Sequence, residues 1–257
     1  MQLLSSLSLT KVSKERLGLF FICLIGVTTI VLFSLIGPIY QTEEYHKFSD
    51  QSTHFGITNF WNVISNLPFL VIGIYALLKL KINSEERLPY QVFFIGITLV
   101  GVGSAYYHLH PTSETLVWDR LPMTVGFMSL LTIIISDFAN PKTARKLLLP
   151  FILIGMLTII YWIQTGDLRP YAFIQFFPLL AIPITLLVFI PRYKRTYGYW
   201  WCLAAYVVAK LLEHFDHQVD SALMVMSGHP LKHLAIAVGI AVLLRMFLRS
   251  HQTSKND

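Results

Sequence analysis

Apolar residues in this chain gather into long blocks instead of alternating with polar ones. The blocks run over about 17–36, 60–79, 90–108, 117–136, 147–163, 171–190, 198–215 and 230–248. Each is close to the ~20 residues a helix needs to cross hydrocarbon. Backbone groups in lipid must bond within their own segment, and continuous apolarity does not suit barrel strands, whose two faces alternate. The pattern therefore predicts eight transmembrane α-helices. The block at 198–215 is the poorest, because it carries Lys210 and Glu213. The first block spans a bilayer and has no small-residue cleavage site behind it, so it reads as a membrane helix and not as a signal peptide. Neither a low-complexity tract nor a long linker divides the chain, and an all-α polytopic bundle is expected.

Basic residues fall between the blocks in a regular order. Lys11, Lys14 and Arg16 precede the first, and Lys79, Lys81 and Arg87 join the second to the third. Lys142, Arg145 and Lys146 join the fourth to the fifth, Arg192, Lys194 and Arg195 the sixth to the seventh, and Arg245, Arg249 and Lys255 follow the last. The intervening loops hold only Lys47 and Arg169. This alternation predicts both termini on the cytoplasmic side. It also accounts for the net charge of +6 without nucleic acid as a partner. Composition agrees: 54% of residues are hydrophobic and 13% charged, about half the charge of a soluble domain. Cys23 and Cys202 both lie in apolar blocks, so no disulfide framework or Cys-based metal site is available.

Against this background polar residues in the spans need a reason. The third block closes on Gly-Ser-Ala-Tyr-Tyr-His at 103–108, which puts Ser104 and His108 on one helix face. The fourth opens with Trp118, Asp119 and Arg120, and the eighth with His229 and His233, again one turn apart. By the expected topology all three segments share the non-cytoplasmic end. Two histidines one turn apart and a third from another helix leave one tetrahedral position open, the pattern of a catalytic zinc site. Zinc activates water near neutral pH; Asp119 is placed to hold that water and shuttle its proton, and Ser104 to meet the developing oxyanion. A single His at a helix end is more often only an interfacial polar residue, and His214 and His217 are rival ligands.

The chain resembles the alkaline ceramidase family, within the wider group of seven-helix membrane hydrolases that includes the adiponectin receptors. The resemblance rests on Asn-Phe-Trp-Asn-Val-Ile-Ser-Asn-Leu-Pro at 59–68, the 103–108 segment, Asp-Arg-Leu-Pro-Met at 119–123 and Gly-His-Pro-Leu-Lys-His at 228–233. It implies zinc ligation by His108, His229 and His233, with Ser104 and Asp119 as the active-site pair. It also implies a seven-helix core at 59–248, preceded by a tail, an extra helix and an outer loop at 1–58 and followed by a tail at 249–257. The eukaryotic members carry an acidic calcium site that ends where this chain has Asn59. Here the preceding stretch offers only Glu43, Glu44 and Asp50, so no calcium site is expected.

Other residues have plainer explanations. The turn at 166–171 pairs Asp167 with Arg169, although Arg169 or Asp167 is also a candidate for the border of the substrate entrance, as is Tyr107 for substrate binding. Arg120, about 100° around the helix from Asp119, is expected to snorkel to the interface. Glu213, Asp216 and Asp220 read as a solvated helix end, with Lys210 pairing to Glu213. Tyr106, Tyr107, Trp118, Trp162, Tyr171, Trp200 and Trp201 read as an interfacial belt, and Pro68, Pro178 and Pro183 as kinks. The activity expected is zinc-dependent hydrolysis of a ceramide-like N-acyl lipid to a fatty acid and a free base, with the site toward the non-cytoplasmic side. The rivals are a lipid receptor or sensor on the same scaffold and a proton-coupled transporter using Asp119, Glu213 and the histidines. No sequence feature speaks to oligomeric state.

Overall fold

The computed structural model describes residues 11–83 and 85–253. The first and last few residues, among them Lys255 of the basic clusters, lie outside the described residues. Among the described residues ten α-helices run in order: α1 (Lys11–Leu35), α2 (Phe60–Ile64), α3 (Leu67–Lys79), α4 (Arg87–Leu109), α5 (Ser113–Phe138), α6 (Pro141–Thr165), α7 (Arg169–Val188), α8 (Tyr197–His214), α9 (Asp216–Leu223) and α10 (Gly228–Thr253). A 3-10 turn, Glu43–His46, lies in the loop between α1 and α2. The molecule is an all-α polytopic membrane bundle, with no strand beyond isolated bridges among the described residues.

Seven helices among the described residues are long and apolar enough to cross a membrane. The seventh of the eight expected spans, at 198–215, forms α8 but falls short of that apolarity. The reason is its content: Lys210, Glu213 and His214 fill its last turns, and Tyr197, Tyr199, Trp200 and Trp201 its first. It is nonetheless held lengthwise on α10, where Gly198 meets Leu243 and Met246 and Gly239 meets Cys202 and Ala205.

A second difference matters more for chemistry. The expected helix at 60–79 is broken at Ser65 and Asn66 into α2 and α3. Pro68 has no N–H to give the carbonyl one turn back, and the bonds tighten around it: Asn66 N–H donates to Val63 O at 3.2 Å and Phe69 N–H to Asn66 O at 3.1 Å. The break turns the Ser65 hydroxyl toward α10. Pro178 and Pro183, by contrast, are accommodated within α7.

Most of the apolar core lies toward the end away from the histidines, where Tyr90, Phe94, Ile133, Leu243 and Phe247 are buried together. A smaller cluster of Phe48, Tyr107, Leu116, Ile159, Trp162 and Tyr171 closes the other end. Helix α1 is peripheral: only 11% of its apolar window is buried, against 56% for α5. It packs on α7, with Gly18 against Val188 and Phe189. Arg169 secures its C-terminus, donating from Nη1 to Phe33 O at 2.9 Å and Ile36 O at 2.7 Å, where a cation also complements the helix dipole.

Candidate metal centre and lipid cavity

Three histidines meet at one end of the bundle. His108 comes from the last turn of α4, and His229 and His233 from the first turns of α10; all three are buried. Each offers a ring nitrogen, and these lie within 4.8 Å of one another. The set is the one group of at least three His, Cys, Asp or Glu drawn together closely enough to hold an ion among the described residues. His214 and His217, the rival ligands, are exposed and stand outside it. The donor chemistry suits a borderline metal such as zinc. Burial adds a second sign: His108 Nδ1 and His229 Nε2 have no hydrogen-bond partner, an arrangement that is costly unless something binds them.

The backbone explains why these residues meet. Helices α4 and α5 approach so closely at Gly103 that a Cβ there would sit 1.9 Å from Trp118 O. Any side chain at 103 would push α5 away, and with it Asp119 from Ser104. Ser104 and Asp119, on the facing ends of α4 and α5, both line the polar end of the cavity. Gly228 plays the same part for α10, since a Cβ there would fall 2.1 Å from Leu212 O. The His229 N–H, one of the orphan donors of that helix start, donates to Asp216 Oδ1 at 2.6 Å. Asp216 Oδ2 accepts the Ser49 N–H at 3.1 Å. What reads in sequence as a solvated helix end therefore pins the outer loop to the histidine helix.

That loop covers the cluster. Phe48 lays its ring 4.7 Å from that of His108 and 4.6 Å from that of His229, centroid to centroid. His46 bonds Tyr107 Oη through Nδ1 at 2.9 Å and Ser113 Oγ through Nε2 at 3.1 Å. Burial holds the His46 imidazole below its ordinary pKa, outweighing the opposing pull of Glu43. Asp50 is turned inward, accepting from the Ser52 and Trp61 N–H groups at 3.1 and 3.0 Å, and Asn59 donates to His108 O at 2.9 Å. Asn59 sits at φ 50°, a left-handed conformation that Asn tolerates better than most residues. Ser65, freed by the α2–α3 break, lies 2.8 Å from His233 Nδ1. Such a partner on the second ring nitrogen fixes the tautomer of a metal ligand. No sequence pattern pointed to Ser65, Phe48, Asp216 or His46; the proline three residues after Ser65 was the sole available hint.

Beside the histidines opens a cavity of about 280 Å³. Its polar end holds Ser104, Asp119, Arg120, Lys210, Glu213, Lys232 and His233, and its depth is lined by Phe93, Ile97, Val100, Phe127, Leu130 and Ile240. Glu213 bridges Lys210 and Lys232 at 2.5 Å each, so the expected Lys210 pair is present but faces the cavity.

Arg120 does not snorkel. It is buried, with its guanidinium 5.5, 4.6 and 5.0 Å from the ring centres of Tyr45, Trp162 and Tyr171. The expected aromatic belt accordingly splits: Tyr106, Trp118, Trp200 and Trp201 are exposed, whereas Tyr107, Trp162 and Tyr171 are interior. Tyr107 and Arg169 are absent from the cavity lining. Arg169 is instead bound to Asp167 at 2.8 Å, and that pairing holds the Asp167 carboxyl below the ordinary carboxylate range.

Comparison with known proteins bears on the same stretch of chain. The family model described as Ceramidase matches residues 50–257. This chain belongs to the Ceramidase family. The match begins after α1, and it contains all three histidines, Ser104 and Asp119. Among curated proteins, alkaline ceramidase 3 of Mus musculus is 30% identical over 88 residues, or 34% of this chain and 32% of that protein. The alignment thus spans about a third of that relative's length.

Proposed function

We propose that this Ceramidase-family protein is a zinc-dependent hydrolase of lipid amides, cutting a ceramide-like N-acyl lipid into a fatty acid and a free amine. The observation that carries the reading is the buried histidine triad, with two ring nitrogens lacking partners, which meets through His233 a cavity that is apolar in its depth and polar at the histidine end. His108, His229 and His233 would hold the metal. When bound, zinc supplies a Lewis acid for the amide carbonyl and a water acidified toward neutral pH.

The chain's own groups do the rest. The acyl tail lies along Phe93, Ile97, Phe127 and Ile240, which excludes bulk water and brings the amide to the polar end. Asp119 orients the attacking water and accepts its proton. Ser104, which lines the same polar end as Asp119, donates to the carbonyl oxygen as charge builds there. Asp119 then returns the proton to the leaving nitrogen, so that water has been added across the C–N bond and the carboxyl is reset. We take residues 59–248 as the unit that performs this reaction and α1 as an addition to it. The Lys and Arg alternation supports cytoplasmic termini and a site facing the other side of the membrane.

Metal analysis and fatty-acid release from a panel of N-acyl lipids, measured on purified wild type and His229→Ala, test the reading. Both zinc content and release should fall to background in the variant. Parental release by His229→Ala would end the assignment, and binding without release by wild type would make the protein a sensor.

A further inference from the structure

Arg120 is a buried cation that makes no ion pair with a carboxylate among the described residues. Of the five N–H donors of a guanidinium, one is used, from Nη2 to Gln41 Oε1 at 2.5 Å. Nη1 is buried with no acceptor, and no carboxylate forms an ion pair with Arg120 among the described residues. Three aromatic rings surround the group. They stabilise the charge through their faces but accept no N–H bond in its plane.

The rest of the cavity does not neutralise it. Three cations, Arg120, Lys210 and Lys232, line the cavity with two carboxylates, Asp119 and Glu213. Glu213 is taken by both lysines, so of the three cations Arg120 is the one without an ion-pair contact among the described residues. The lining carries one cation more than carboxylates, and Arg120 stands at the polar end where the lipid head would lie. Tyr45, the ring of the three that belongs to the outer loop, is 37% exposed, so access to the guanidinium needs movement of one side chain in a loop.

Building on the lipid-amidase reading, we propose that Arg120 is a specificity-determining residue that receives an anionic oxygen group, such as a carboxylate, carried on the lipid head beside the amide. A planar two-oxygen acceptor matches its fork geometry. Among ceramide-like N-acyl lipids, those whose head carries an acidic group are then preferred.

Binding of N-palmitoylglycine and N-palmitoylethanolamine to purified full chain in detergent tests this, with chelator present to prevent turnover. Wild type should bind the acidic lipid about tenfold or more tightly than the neutral one. Arg120→Gln should close that gap, and Arg120→Lys, which keeps the charge but loses the fork, should narrow it. Should the Gln variant not fold, wild type and Arg120→Lys decide. Equal binding of the two lipids by wild type, or a gap that survives in Arg120→Gln, overturns the proposal. So does an Arg120 dependence seen with palmitate alone, since it places the anion on the product. Fatty-acid release by metal-loaded protein is scored separately. An Arg120-dependent gap without release would sink the amidase reading and leave the recognition intact.

Discussion

Both ends of this bundle bury polar side chains, and they do so in different ways. At the end away from the histidines, every buried carboxylate is occupied. Asp137 accepts from Tyr90 Oη and Tyr199 Oη at 2.6 Å each; Glu86 accepts from Arg192 Nη1 at 2.8 Å and from Tyr193 Oη. The atoms left over there are neutral: Ser136 Oγ, Ser250 Oγ and His251 Nε2. At the histidine end neutral atoms are left over as well, Asn62 Oδ1, Asn66 Oδ1 and Ser227 Oγ, but with them stand ring nitrogens of a histidine cluster that could hold a metal, His108 Nδ1 and His229 Nε2, and the guanidinium nitrogen Arg120 Nη1. A polar cluster that only joins helices closes its charges among its own residues, because a buried unpaired charge is costly. One that leaves ligating or charged atoms open is arranged for something from outside the chain.

This contrast is exposed to direct tests. Asp119→Asn should lower turnover by about 10²- to 10⁴-fold while zinc, measured by metal analysis, stays bound. Loss of zinc instead would make Asp119 part of the metal site. Asp137→Ala, at the other end, should act on stability alone. Stranding two tyrosine hydroxyls in the core costs roughly 2–4 kcal/mol, read as a fall in thermal midpoint in detergent with unchanged turnover per folded molecule. A catalytic defect there would erase the distinction between the two ends. Ser65→Ala removes the partner on His233 Nδ1 and should weaken zinc affinity by about 10- to 100-fold, seen in chelator competition, with little change in melting of the metal-free protein.

The smallest effect is expected from His46. Its folded-state pKa lies below the ordinary value, so the unfolded chain binds the proton more readily. Stability of the outer loop is then fully present above about pH 6.5 and declines as pH falls toward the lowered folded value. Amide protection factors near His46, with the intrinsic pH dependence of exchange divided out, should fall across that interval, and His46→Gln should flatten the dependence. Protection that rises on acidification would reverse the sign and refute the assignment.

The helices were legible because hydrocarbon imposes one rule on every residue in a span, and runs of about 20 apolar residues obey it. The failures have local causes. Residues 198–215 form a helix less apolar than the seven others that could cross the membrane, because Lys210 and Glu213, paired at the cavity, stand in its last turns. The break at Ser65 is set by where Pro68 sends its missing bond. His108, His229 and His233 were legible as a triad from their i, i+4 spacing, their shared depth and the family resemblance. Arg120 was misread as an interfacial cation, since helical angle alone cannot reveal that Tyr45, Trp162 and Tyr171 close over it. Asp216 was misread for the same reason, its partners Ser49 and His229 being remote in sequence.

By itself, then, the sequence determined that this is a membrane bundle of helices and which titratable groups share its histidine end. Both follow from one-dimensional quantities, apolar length and spacing along a helix. Only the tertiary structure decided which of those groups touch, which are satisfied and which are left open. A hydrogen bond or a ring over a guanidinium depends on distances of a few ångströms between segments far apart in the chain, and Gly103 and Gly228 set those distances by having no side chain to hold the helices apart.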